Sequence, residues 1–273
     1  MKKVFAIAFL IVACFCGNTK VSAQSILDEN PNEGLYKQDG TGYYRPMQYP
    51  SIREADVMWR KRIWRTIDFR QKMNQVFYYP TETHYNWTRF IDILVEAWKK
   101  DEIKVYPFNA KKDELENEIQ YDAWERLYAD DSYWDADIND SVREVRWQDF
   151  ERLNIMEDWY FDKQRCQLMV RILAIGPVKK QGEDRYTQMF WVSYNDTTRE
   201  LLAKSKFFNR GNAGAPLNYD QIFMLRMFDS YIYKEENPYD RTIISYAQGR
   251  DALMESERIK QEIIDFEQNL WEY

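Results

Sequence analysis

Histidine is almost missing from this sequence: His84 is the only one in 273 residues. A multi-histidine zinc centre is excluded, and there is no Cys-x-x-Cys or His-x-x-x-His to replace it. Ser–His–acid catalysis would have to run through His84, and no Gly-x-Ser-x-Gly elbow is present to expose a serine. Glycine is scarce as well, and the Gly40/Gly42 pair precedes no strand–helix unit, so a phosphate-cradling loop is not expected. Cysteine is confined to Cys14, Cys16 and Cys166. Past the apolar run Val4–Ala13, nothing apolar reaches membrane-spanning length. The balance of 38 basic to 45 acidic residues opposes nucleic-acid binding. A carboxylate-pair hydrolase stays open, but so many acids make close pairs commonplace and the signal unspecific.

The first residues read as a secretory signal peptide over 1–23. Lys2 and Lys3 form a positive start, Val4–Ala13 an apolar stretch, and Val21-Ser22-Ala23 a cleavage site that leaves Gln24 first. Ile11-Val12-Ala13-Cys14 also fits a lipobox, which would place a lipid on Cys14. Cleavage after Ala23 removes three lysines and no acid, taking the net charge from −7 to −10. It also leaves Cys166 alone, so no intrachain disulfide is expected and a hydrophobic core must hold the fold. Residues 24–50, rich in Pro, Gly and Tyr, read as an extended arm whose tyrosines lie on another surface. Residues 51–273 read as one domain.

Ser51 and Glu54 have capping-box spacing and open an expected helix running to about Met73. A second helix is expected from Trp87 to Lys100, capped by Asn86, with Trp87, Phe90, Ile91, Leu94 and Trp98 on one stripe. Residues 113–140 carry eleven acids and one base. The first half of that run reads as helix and "DDSYWDADIND" as loop. Within it Asp135, Asp137 and Asn139 match the opening of a calcium loop. Asp140 and Arg146 stand where that loop needs Gly and Glu, so no metal is expected. Alternation from Cys166 to Ala174, ending at Gly176-Pro177, predicts a strand. Tyr186–Tyr194 predicts its neighbour and Asp229–Tyr233 a short third. Ala252, Ser256, Ile259, Ile263, Phe266 and Leu270 recur at steps of four and three, predicting a long terminal helix that packs on the domain's own core. The expected fold class is therefore α+β: early helices, a small mostly antiparallel sheet in the middle, a long C-terminal helix and an extended N-terminal arm.

The segment "DVMWRKRIWRTIDFRQKMN" (56–74) invites a functional reading. Plotted as a helix, it places Trp59, Ile63 and Ile67 on a core face. Arg53, Val57, Lys61, Trp64, Arg65 and Lys72 fall on or beside the other side. Trp and Arg together are what protein interfaces favour. The basic side is accordingly expected to dock on an acidic protein surface, for which the run 113–140 of the same or a neighbouring molecule is one source.

The same segment followed by "FYYP", then "EDWYFDKQR", "YIYKEENPYDR" and "ALMESERIKQEIIDFEQNLWE", resembles the gliding-motility GldN and secretion PorN family of Bacteroidota, in order from about Ile52 to Tyr273. The resemblance implies a non-enzymatic subunit of the periplasmic ring of the type IX secretion system. It implies assembly with an outer-membrane lipoprotein of GldK/PorK type, self-assembly into a ring, contact with inner-membrane motor proteins of GldL/GldM type, and a place in the periplasm against the outer membrane. It brings no catalytic residues and no cofactor. The alternatives are an exported carboxylate-pair hydrolase and a generic periplasmic adaptor module.

Overall fold

A strand stands where the first helix is expected. In the computed structural model Val57–Asp68 is β1, the second strand in from one edge of a seven-stranded sheet. The expectation of a helix failed for a reason of arithmetic. Trp59, Ile63 and Ile67 recur every four residues, and a step of four returns to one side of an α-helix and equally to one side of a strand. Val57, Trp59, Ile63, Trp64, Thr66 and Ile67 are β-branched or aromatic and favour the pleated form.

The structure describes residues 45–81, 88–108, 115, 117–128, 131–135, 140–144, 147–181, 185–205, 207 and 217–271. These lie within one unit, Tyr44–Tyr273. Its strands after β1 are β2 (Val105–Pro107), β3 (Asp131–Asp135), β4 (Asp140–Glu144), β5 (Phe150–Asp162), β6 (Gln167–Gln181), β7 (Arg185–Gln188), β8 (Phe190–Ser193) and β9 (Tyr231–Glu235). Its helices are α1 (Phe90–Lys99), α2 (Tyr121–Tyr128), α3 (Asp196–Lys204), α4 (Tyr219–Met224) and α5 (Arg250–Trp271). The sheet runs β2-β8-β6-β5-β1-β9 with β7 also on β6, every pair antiparallel; β3 and β4 form a separate hairpin. The architecture is mostly β with few helices, which corrects the expected α+β arrangement with early helices and a small sheet.

The long β5–β6 hairpin is the sheet's centre. β5 was not foreseen as a strand, and the expected break at Gly176-Pro177 lies inside β6. Gly176 is there for space: a Cβ would come within 2.3 Å of Gln188 Nε2 and 2.9 Å of Trp191 Cε3. Gln188 is itself held by Asn154, whose amide donates to it at 2.8 Å. Cys166, expected to begin the strand, sits in the preceding turn with a left-handed φ of 51°. The loop "DDSYWDADIND" contains β3 and the first residue of β4, not loop alone.

One face of the sheet carries two apolar clusters. Ile67, Leu153, Ile155 and Ile175 meet Phe90, Leu94 and Trp98 of α1, Trp124 of α2 and Phe223 of α4. Further along the same strands, Ile63 and Ile232 meet Ile259 and Ile263 of α5. Trp59 stacks on Phe266 with ring centroids 4.7 Å apart. The heptad-spaced residues of α5 thus turn toward the sheet, and the Ser256 hydroxyl accepts the Ile232 N–H at 2.9 Å. The opposite face carries a smaller cluster of Trp64, Met156, Ala174 and Trp191. The leader, the arm as far as residue 44, His84, the Asn86 cap, Trp87, Asp137, Asn139 and Arg146 lie outside the described residues.

Carboxylates clamped by arginine give the unit a defined acid response. Burial alone would raise the pKa of Asp68, but hydrogen bonds from Arg70 and the charge of Arg152 bring it below its ordinary 3.8. A hydrogen bond from Arg165 lowers Asp162, and one from Arg258 lowers Glu255 from its ordinary 4.5. A lowered folded value means that the stabilisation is complete above the ordinary value and is lost as pH falls through the lowered one. Burial raises Asp92, which works in the opposite sense. The melting temperature is expected to drop below about pH 4, and Asp68→Asn to make that drop shallower while lowering stability at neutral pH. A thermal-denaturation series against pH measures both; identical slopes in the two proteins would remove Asp68 from the account.

Candidate functional site

The basic residues of β1 are answered inside the unit. Arg62 donates to Asp158 of β5 through two nitrogens, at 2.7 and 3.1 Å. Arg60 lies 3.3 Å from Glu236 and 3.5 Å from Asp158. Lys61 pairs with Glu235 of β9 at 2.7 Å and approaches Glu262 of α5 at 3.8 Å. Arg65 donates to the hydroxyl and carbonyl of Ser230 at 2.8 and 3.1 Å, and burial pulls its pKa down. The acids facing this strand therefore come from β5, β9, α5 and the residue that follows β9.

The expected docking face does not exist as a face. On a strand Lys61 and Arg65 share the side of Trp59, Ile63 and Ile67, while Trp64 points the other way. Trp64 is 4% and Arg65 8% exposed. Val57 is half-buried at the strand's start, Arg53 lies exposed ahead of it, and Lys72 lies exposed in the turn beyond it. Of the core trio, Ile63 and Ile67 are fully buried and Trp59 is half-buried. Trp64→Ala with Arg65→Glu would consequently perturb folding and cannot serve as a docking probe.

What the structure does assemble is a clamp over the end of the arm. Residues 45–51 lie as an irregular strap held by β6, α3, α4 and the β5–β6 turn. The Met47 N–H donates to Asp220 Oδ2 at 3.0 Å, and Arg199 donates to the Met47 carbonyl. Arg171 donates to the Pro50 carbonyl at 3.4 Å and Arg165 to that of Ser51 at 3.5 Å. The Tyr49 ring has the guanidinium of Arg199 at 4.4 Å and that of Arg171 at 5.0 Å, both within cation–π range. Burial raises the Tyr49 pKa against the pull of Arg199, so the phenol stays neutral.

Asp220 organises this clamp although it is only 1% exposed. Its Oδ1 accepts from Tyr194 at 2.9 Å and from Arg199 Nε at 3.1 Å. Burial and the adjoining carboxylate push the Tyr194 phenol well up. For Arg199 burial acts downward, but Asp220 outweighs it and holds the guanidinium charged. The capping box of α4, in which Asn218 accepts from Gln221 N at 2.8 Å, fixes the helix start and hence Asp220. Asn195 caps α3 by accepting from Thr198 N at 2.9 Å, and Arg199 follows one turn on. Sequence reasoning anticipated tyrosines that lie on something. It missed Arg171, Arg199 and Asp220, which carry no local pattern and come from far along the chain.

Beside the strap opens a hollow of about 1370 Å³. Its floor includes Met156, Leu173 and Tyr194, and its basic members are Arg45, Arg62, Arg171, Arg199 and Lys204, against Asp196 and Glu200. On the other face of the sheet, Glu157 of β5 is fully buried between the two apolar clusters. Arg226 reaches it with two nitrogens at 2.8 and 3.2 Å, and the Trp159 indole donates at 3.0 Å. Among the described residues no three His, Cys, Asp or Glu side chains gather as a metal site, and no helix is long and apolar enough to cross a membrane.

A family model described as "Gliding motility associated protein GldN" matches residues 52–272. No curated protein matches the chain.

Proposed function

The chain belongs to the GldN family of gliding-motility-associated proteins, and on that premise we propose that it is a structural, non-enzymatic subunit of the periplasmic ring of the type IX secretion and gliding machinery. It assembles with an outer-membrane lipoprotein of GldK/PorK type and with further copies of itself, and it receives the motor proteins of GldL/GldM type from the inner-membrane side. Removal of residues 1–23 releases it into the periplasm, where it stays against the outer membrane.

The observation that supports this reading most is the extent of the family match, which runs through nearly all of the described unit. The chemistry of the unit agrees with it. Buried Asp220 and Glu157 are each paired with an arginine and many large aromatic side chains pack in the main core, as suits a rigid building block. The strap adds a mechanical feature, because it ties residues 45–51 to β6, α3 and α4.

The test is isolation of envelope complexes in mild detergent from the cell that makes the protein. The expected result is a large ring-shaped particle containing this chain and a lipoprotein, with secretion and gliding lost when the chain is deleted. Recovery of the chain as a monomer without companions, or normal secretion and gliding by cells from which it has been deleted, overturns the reading.

A further inference from the structure

We propose that the turn between β9 and α5 is a docking patch for the β3–β4 hairpin of a second copy of this chain, so that copies join head to tail. The inference rests on reading the chain as an assembly subunit and adds which two surfaces meet.

Three observations carry it. First, the turn presents a cation set against two rings and otherwise unengaged. The Arg241 guanidinium lies 4.7 Å from the Tyr239 ring centroid and 5.5 Å from that of Tyr246, and its side chain makes no hydrogen bond or ion pair among the described residues. Tyr239 is 74% and Ile244 66% exposed. The Tyr246 hydroxyl donates to Glu255 of α5, which follows the exposed Leu253 and Met254 in the helix. Arginine with tyrosine is a composition that protein interfaces favour.

Second, the turn is built in advance. The Asn237 amide donates to the carbonyls of Glu235 and Arg241 at 2.8 and 2.9 Å, and its oxygen accepts the N–H groups of Tyr239 and Arg241. Lys234, itself buried, pairs with Asp240 at 2.6 Å. A surface fixed before binding loses little conformational entropy when it is covered.

Third, the hairpin lacks what the turn offers. Its register sets Asp131 opposite Glu144 and Asp135 opposite Asp140, so acid stands across from acid at both ends. Like charges so placed destabilise a strand pair, and a two-stranded hairpin is weak by itself. This one stands apart from the seven-stranded sheet. Against its four acids its strands supply one base, Arg143. The first strand reads Asp-Ser-Tyr-Trp-Asp, aromatic residues between acids, which suits an unengaged arginine flanked by tyrosines. One surface fitting a different surface of the next copy is a heterologous contact, the kind from which rings close.

The experiment co-produces two differently tagged versions of the whole chain in the cell that makes it, both with Cys166→Ser. One carries Ile244→Cys in the turn and the other Ser132→Cys in the hairpin. Envelope complexes are isolated in mild detergent and treated with a short bismaleimide. A covalent pair of the two tags is expected. Its yield should fall by roughly tenfold or more when Arg241→Glu is added to the first chain, or Asp131→Asn/Asp135→Asn to the second. The asparagine changes relieve the opposed acids, so the hairpin should form at least as well with them. Lys72→Glu, in the turn after β1, should leave the yield unchanged. No pair of tags in particles that hold both chains, or a yield indifferent to Arg241→Glu, overturns the proposal. A chain carrying both cysteines supplies the other arm: links within one chain and none between chains would make the contact an internal latch and overturn it too. Particles that form without the link refute only this contact. Absence of particles from the unaltered protein refutes the subunit reading, and the contact with it.

Discussion

Arg226→Met is expected to lower the stability of the unit by about 3–5 kcal/mol, the range found when one partner of a buried ion pair is removed. The cost comes from what is left behind. Glu157 is fully buried, and methionine in place of Arg226 covers the carboxylate without offering it a hydrogen bond or a charge. The Trp159 indole N–H would still donate to it, which is too little for an ionised carboxylate. Arg226 also sits between the rings of Trp159 and Phe228, at 5.4 and 5.3 Å, and holds a left-handed φ of 52°. The double variant Glu157→Met/Arg226→Met should recover much of the loss, because two apolar side chains between two apolar clusters leave no charge to solvate. Urea denaturation of the three proteins decides it. A single variant no worse than the double would mean that water reaches Glu157 after all.

Asp220→Ala should be about as costly, again about 3–5 kcal/mol, and it should also release the strap. Its carboxylate receives Arg199 and Tyr194 through one oxygen and the Met47 amide through the other. Arg199 is 3% exposed and would be left buried without a counter-charge, apart from its long 3.8 Å approach to the solvated Asp196. Hydrogen exchange separates the two consequences. The Met47 amide should lose protection at denaturant concentrations where the amides of β5 and β6 keep theirs. Tyr49→Ala, which takes away the ring held by Arg171 and Arg199 but not the carboxylate, should loosen the strap with a smaller loss of global stability. If Met47 stays protected in Asp220→Ala, the strap is held by its carbonyl contacts and Asp220 is only a core ion pair.

Much of this protein was determined locally, by side-chain type and spacing. The four-and-three spacing from Ala252 onward lies on α5, since residues three apart, such as Ser256 and Ile259, share a side on a helix and not on a strand. Phe90, Ile91, Leu94 and Trp98 form the inner stripe of α1, and the alternating residues after Cys166 lie on β6, because burial selects one period at a time. The family too was legible, because the matching strings are long and in order. Three things only the tertiary structure decided. Whether residues 57–68 coil or extend depended on β5 and β9 being there to pair with them, since a step of four satisfies either form. Whether Arg60, Lys61, Arg62 and Arg65 faced a partner or their own molecule depended on where Asp158, Glu235 and Ser230 were brought by the sheet. The clamp joins Met47 to Arg199 and Asp220, some 152 and 173 residues on. No local pattern can encode a contact over that distance, because its energy exists only once the sheet and both helix caps have placed the three residues together.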